Sequence, residues 1–87
     1  MSEHNRLGRV KHKTHNYTRR VNGQHYVLEA AEGDRWAMTA QGRGVKPGDY
    51  LLLQEQGRSV RYQVEQIDYY AEPPDMWVAL LVKLPPA

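Results

Sequence analysis

The stretch DYLLLQEQGRSVRYQVEQI, residues 49–67, decides the fold that we expect. Its first six residues, 49–54, form a nearly continuous apolar run, which is typical of a buried strand. Gly57 then supplies a residue that tolerates the backbone of a tight turn. The stretch therefore predicts two antiparallel strands joined by a hairpin.

The returning segment of this hairpin alternates between apolar and polar side chains. Val60, Tyr62 and Val64 share one side, so the pattern predicts a strand with Tyr62 in the core. Ile67 falls on the polar side of the same alternation. This break in period predicts a bulge or bend near Gln66.

Further strand patterns lie on either side of the hairpin. Residues 24–30 and 35–40 alternate and are joined by a glycine-containing turn, so they predict an antiparallel pair. Residues 41–49 contain three glycines and a proline and predict a loop. Residues 76–84 are apolar on both faces, which predicts a strand that is central in its sheet or covered on both sides.

These segments give five short strands and little room for a helix. A closed sheet has no exposed edges, so we expect an all-β fold, a small five-stranded antiparallel barrel over residues 21–87. A chain of 87 residues is long enough for one such domain.

The first 20 residues differ from the rest of the chain in charge and in apolar content. Their net charge is 6 − 1 = +5, whereas residues 21–87 hold six basic and nine acidic residues, 6 − 9 = −3. Their few apolar residues are Leu7, Val10 and Tyr17. We therefore expect residues 1–20 to be a flexible basic arm, with order beginning near Val21.

The sequence predicts a cytoplasmic location. It contains no cysteine, which fits a reducing compartment. Its first residues lack the apolar core of a secretory signal, and no apolar run approaches the roughly 20 residues of a membrane-spanning helix.

Basic residues of the arm and of the loop 41–49 are the candidates for binding RNA or another nucleic acid. Cationic side chains neutralise phosphates and release counterions with little sequence selectivity. In the loop, backbone N–H groups beside cations can form an anion-binding nest. The candidate residues are Arg6, Arg9, Lys11, Lys13, Arg19, Arg20, Arg43 and Lys46. The alternatives are a solvated tail, an arm that covers the acidic domain, and an ordinary turn-rich loop.

A second candidate site is the aromatic and acidic loop DYYAEPPDMW, residues 68–77. Its two prolines restrict the backbone, and exposed aromatic side chains are common anchors in protein interfaces. We expect docking of a basic protein surface to use Tyr69, Tyr70, Asp75 and Trp77. The alternatives are a plain connector between strands and a tryptophan that fills the core.

Few residues have the spacing of a catalytic or metal site. His12 and His15 are three apart, but a flexible arm without cysteine offers no third ligand, so we favour solvated histidines. The carboxylates of Asp68, Glu72 and Asp75 lack EF-hand spacing, and neither serine lies in a nucleophile-elbow motif. We therefore expect a non-enzymatic protein without metal or cofactor.

The second half of the chain resembles PUA-like and ASCH-like small β-barrels. In those families a hydrophobic-x-x-Gly-Asp turn leads into a strand, a glycine turn and a V-x-x-I strand. The matching residues are Val45, Gly48, Asp49, Gly57, Val64 and Ile67. The resemblance implies a PUA-like barrel and ligands such as RNA or modified nucleosides. An SH3-like barrel is the alternative, because Gly-Asp turns open strands there too.

ASCH-type hydrolases use a Lys-Thr-Glu constellation, and spacing places no such set in this chain. An ASCH-type enzyme therefore stays only an alternative. The domain as a whole also resembles short uncharacterised proteins of cyanobacteria, a resemblance that implies no function. The sequence favours a binding module that binds RNA weakly through the arm and the loop, with protein docking at residues 68–77 as the alternative.

Overall fold

The computed structural model describes residues 11–86, which fold into one six-stranded sheet. The strands are β1 (Thr14–Asn16), β2 (Val27–Ala30), β3 (Arg35–Gln41), β4 (Tyr50–Glu55), β5 (Arg58–Tyr69) and β6 (Met76–Lys83). Their order across the sheet is β1-β4-β5-β6-β3-β2. The all-β class is confirmed. The described residues contain no helix, and hence none with the length and apolar character that crossing a membrane requires.

The hairpin of β4 and β5 forms as its sequence predicts. Gln56 and Gly57 have φ values of 50° and 77°, the two positive values that a tight two-residue turn between twisted strands needs. Tyr62 is fully buried, which confirms its place in the core. The predicted bulge is also confirmed, because the β5–β6 register shifts between Val64 and Gln66.

One face of the curved sheet forms the core. Alternate residues of β3, β4, β5 and β6 point inward, and the tyrosines beside β1 and β2 close the remaining space. The buried apolar residues are Tyr17, Tyr26, Met38, Ala40, Val45, Leu51, Leu53, Tyr62, Val64, Trp77, Ala79 and Leu81. β6 lies between β5 and β3, so its predicted central position is correct, although Val78 on its outer face is 37% exposed.

The expected five-stranded antiparallel barrel is replaced by an open six-stranded sheet. Its end strands β1 and β2 are three and four residues long and do not pair with each other in the described part of the chain. The rings of Tyr17 and Tyr26 meet edge to face, with 6.4 Å between their centroids. Short end strands limit the unpaired backbone, so the edges need no closure by hydrogen bonds.

The basic arm is ordered earlier than expected. β1 lies within the predicted arm and pairs in parallel with Tyr50–Leu52 of β4, and Tyr17 is only 7% exposed. The Tyr50 N–H donates to the Lys13 carbonyl at 2.8 Å. Backbone hydrogen bonds and one buried ring hold this segment without the apolar period that a core strand shows. Residues 1–10 lie outside the described residues.

Candidate nucleic-acid interface

Asp49, which comes directly before β4, joins the N-terminal segment to the loop before β4. Its side chain is buried, and its carboxylate accepts hydrogen bonds from the backbone N–H of Lys13 and of Lys46, each at 3.1 Å. Nε2 of His15 donates to the same carboxylate at 2.8 Å. One carboxylate therefore fixes two segments that lie more than 30 residues apart in sequence.

The hydrogen bonds of Asp49 also set its charge. Burial alone would raise the pKa of this carboxyl, but the bonds from His15 and from the two backbone amides outweigh burial and hold its pKa below the ordinary value. Asp49 is therefore ionised at neutral pH. A buried carboxylate with several donors is a stable junction, because its charge is compensated within the fold.

The second histidine of the segment packs against the turn before β4. Gly48 has a φ of 90°, and a Cβ at this position would overlap the imidazole of His12. Nδ1 of His12 lies 3.8 Å from the Asp49 carboxylate. The expectation of solvated histidines is wrong for His15, whose side chain is 17% exposed and hydrogen-bonded. In residues 11–86 no group of three or more histidine and acidic side chains has the arrangement of a metal site.

The loop 42–48 is held in place by Tyr69 of β5. The Tyr69 hydroxyl donates to the Val45 carbonyl at 2.8 Å and accepts from the Val45 N–H at 2.9 Å. The Val45 side chain is buried, which anchors the loop from the other side. Arg43 and Lys46 are exposed on this loop. Both cations thus extend from a backbone that is fixed on both sides.

Arg20 comes near the beginning of the same loop. Its guanidinium lies 5.3 Å from the ring centroid of Tyr17, and the Tyr17 hydroxyl donates to the Gln41 carbonyl at 2.9 Å. A cation over a tyrosine face is attracted by the ring's electron density. Arg20 therefore lies on the side of the sheet where the loop starts.

The structure brings together part of the predicted nucleic-acid set. The backbone amides of Lys13 and Lys46 both donate to Asp49, Arg43 shares the loop of Lys46, and Lys11 is two residues from Lys13. We call these four residues the basic junction. Arg19 is exposed, but no contact within residues 11–86 ties it to the loop. Arg6 and Arg9 lie outside the described residues.

The predicted docking residues separate into different environments. Trp77 is fully buried, so its predicted exposure is wrong and the core-filling alternative is correct. Tyr69 and Tyr70 are 40% and 43% exposed, but the Tyr69 hydroxyl is already bonded to Val45. Asp75 accepts two bonds from the Gln41 side-chain amide, at 3.2 and 3.3 Å. Of the four, Tyr70 alone presents an exposed ring with no hydroxyl bond in the described structure.

Sequence reasoning assigned no role in the interface to Asp49, and it missed Glu55 at the other end of β4. Glu55 accepts from the Tyr62 hydroxyl and, at 3.1 Å, from Nζ of Lys83. Burial and the Glu55 carboxylate raise the pKa of Tyr62, so its hydroxyl keeps the proton and donates. The two-residue period of β4 could have identified both acids from the sequence. Both acids lie on the inward row of Leu51 and Leu53, where an acid needs partners.

Comparison with known proteins gives no relative: no family model matches the chain, and neither the curated proteins nor the solved structures contain a match. The resemblance to PUA-like and ASCH-like barrels therefore stays a prediction.

Proposed function

We propose that this protein is a non-enzymatic module that binds RNA or another nucleic acid weakly through the basic junction. One observation carries the proposal: the Asp49 carboxylate binds the backbone amides of both Lys13 and Lys46. The two lysine side chains are exposed, so their charges extend from a fixed junction into solvent. Because the backbone beneath these side chains is already held, less conformational freedom is lost when the lysines contact phosphates.

The internal charge compensation of the junction supports an anionic ligand. The charge of the Asp49 carboxylate is already compensated by hydrogen bonds from His15 and from the backbone amides of Lys13 and Lys46. The lysine ammonium groups have no ion pair among residues 11–86, so their charge is available to phosphates. The predicted PUA-like relationship and cytoplasmic location favour RNA as the nucleic acid.

The test measures binding of a fluorescein-labelled mixed 20-nucleotide RNA by anisotropy at several salt concentrations. Lys13→Gln and Lys46→Gln keep the backbone amides and remove one charge each. We expect each to weaken binding and to reduce the slope of log Kobs against log salt by about 0.7, the value for one contact on a single strand.

Arg35→Gln is the matched control. It also removes one exposed cation, but Arg35 is paired with Glu65 at 2.6 Å, away from the junction. We expect its salt slope to equal that of the wild type. Undetectable RNA binding at low salt, or equal slopes for all three variants and the wild type, would contradict the proposal.

A further inference from the structure

A groove of about 910 Å³ lies where the curved sheet fails to close. Tyr26, Leu28 and Trp36 line one wall, and Gln54 and Glu55 of β4 line the other. β2 and β4 are separated by three strands in the sheet order, so only the curvature of the sheet brings their side chains to one cavity. Its volume lies within the range of about 300–1,000 Å³ that small-ligand sites occupy.

Trp36 contributes to this groove an indole ring that is held in position by its neighbours and is still partly exposed. Its indole meets the ring of Tyr62 edge to face, with 6.4 Å between centroids, and Nζ of Lys83 lies 5.9 Å from its centroid. Trp36 is half-buried, whereas Trp77 is fully buried in the core. A held, partly exposed indole is a surface on which a planar ring can stack.

The charges along the groove favour an anion. Arg58, Arg61 and Lys83 line it together with the single acid Glu55, a net charge of 3 − 1 = +2. Lys83 donates to the Glu55 carboxylate at 3.1 Å, so these two charges compensate each other. The guanidinium of Arg61 lies 5.0 Å from the ring centroid of Tyr50, which is not among the residues that line the groove. The guanidinium of Arg58 therefore remains for a ligand, and guanidinium groups match the geometry of phosphate oxygens.

A planar ring next to an anionic group is the chemistry of a nucleotide. We propose that this groove binds one unstacked nucleotide of a single-stranded nucleic acid, with its base on Trp36 and its phosphate at Arg58. The inference rests on the proposed function, and it adds a site for a base to a junction that contacts phosphates alone.

The basic junction and the groove lie at opposite ends of β4, so the length of this strand sets the distance between them. The basic junction lies beside Asp49 at the beginning of the strand, and the groove lies beside Glu55 at its end. The six residue steps from Asp49 to Glu55 in extended conformation span about 20 Å. At a stacked spacing of about 3.4 Å per nucleotide, a strand of about six nucleotides reaches from one site to the other.

The experiment monitors the two sites by two signals, fluorescence anisotropy and intrinsic tryptophan fluorescence. Anisotropy of labelled oligoadenylates of three and eight nucleotides reports binding anywhere on the protein. Intrinsic tryptophan fluorescence with unlabelled oligoadenylates reports the groove, because Trp77 is fully buried and Trp36 lines the cavity. We expect the eight-nucleotide strand to bind at least tenfold more tightly than the three-nucleotide strand and to quench the fluorescence.

Variants of the groove separate stacking from charge. Trp36→Leu is expected to lower the affinity for the eight-nucleotide strand about tenfold, since one base stack on an aromatic side chain has about this effect. Trp36→Phe keeps a ring and is expected to stay within about threefold of the wild type. Should Trp36→Leu fail to fold, the exposed Arg58→Gln supplies the test, with loss of the quench at an equal oligonucleotide concentration.

The results distinguish the two proposals. Anisotropy that shows binding without any change in fluorescence would overturn the groove and leave the basic junction standing. No binding by either signal would overturn the proposed function itself. Adenosine monophosphate alone should quench only at far higher concentration than the eight-nucleotide strand. Equal potency of the two would assign the groove to a free nucleotide and overturn its role in strand binding.

Discussion

A carboxylate lies at each end of β4, and the two carboxylates stabilise different parts of the fold. Asp49 and Glu55 continue the inward row of Leu51 and Leu53, and each carboxylate is compensated inside the fold. Asp49 accepts from backbone amides and an imidazole, and so it sets the path of the chain. Glu55 accepts from Tyr62 and from a lysine, and so it sets the position of side chains. The partners of an inward-facing acid, more than its own burial, therefore determine what it stabilises.

Removing the carboxylate at the beginning of β4 should have the largest effect. Asp49→Ala leaves the amides of Lys13 and Lys46 without their acceptor and releases His15. We expect the free energy of unfolding to fall by about 3 kcal/mol, as when one partner of a buried charged network is lost. Urea denaturation monitored by circular dichroism measures this change.

The control for this variant is Asp68→Ala, which removes an exposed carboxylate from β5. A surface change of this kind is expected to alter stability by less than about 0.5 kcal/mol. If the two alanine variants were equally stable, Asp49 would have no special part in holding the chain, and the contrast between the two ends would be lost.

At the other end of β4, Tyr62→Phe removes the hydroxyl that donates to Glu55 while Lys83 still compensates the carboxylate. We expect a loss of about 1.5 kcal/mol in the free energy of unfolding, typical of one bond to a charged acceptor. Urea denaturation measures it, with the exposed Tyr70→Phe as control. A loss as large as that of Asp49→Ala would mean that the ends of β4 do not differ.

Tyr69→Phe tests whether the loop is part of the junction. It removes two hydrogen bonds to the backbone of Val45 and leaves the ring in place. We expect about 1 kcal/mol of destabilisation by urea denaturation and faster exchange of the amide hydrogens in residues 42–48. Unchanged exchange in this loop would show that the buried side chain of Val45 is sufficient to hold it.

The smallest expected effect is the loss of the stabilisation by Asp49 at low pH. The hydrogen bonds to Asp49 hold its folded pKa below the value of an unfolded aspartate, which is about 3.9. Its stabilisation is therefore complete above about pH 4 and is lost as the pH falls through the folded pKa. Denaturation curves between pH 6 and pH 3 should show the stability gap between the wild type and Asp49→Asn narrowing at the acid end. A gap that stays constant would mean that ionisation of Asp49 contributes nothing.

The local pattern of apolar residues predicted the strands, but it did not predict that the edges of the sheet stay open. The alternation of Val60, Tyr62 and Val64 predicted the core face of β5, and the misplaced Ile67 predicted its bulge, because both follow from a period of two. The open sheet was not predicted, since strand count alone does not show whether edges pair. β1 was missed because Thr14–Asn16 is held by backbone hydrogen bonds and by a carboxylate more than 30 residues away.

The sequence composition identified some residues of the site, but their arrangement in space could be seen only in the fold. The cations of the arm and the loop could be named from charge, but their meeting at Asp49 could not, because it depends on parallel pairing of distant segments. Trp77 was named as a docking residue with core filling as the alternative, since a strand that is apolar on both faces gives no signal for which side is inward, and the core-filling alternative is correct. Trp36 was identified as a strand residue, and the groove beside it appears only when β2 curves towards β4.

The parallel pair of β1 and β4 has a consequence for the order of folding. Thr14 pairs with Tyr50, whereas the strands of the β4–β5 hairpin are joined by two residues. Closing the longer loop costs more chain entropy, so the hairpin is expected to form first and β1 to dock late. Changes at Asp49 should then raise the unfolding rate and leave the folding rate nearly unchanged. The segment that carries the lysines would be the last part of the sheet to join and the first to leave.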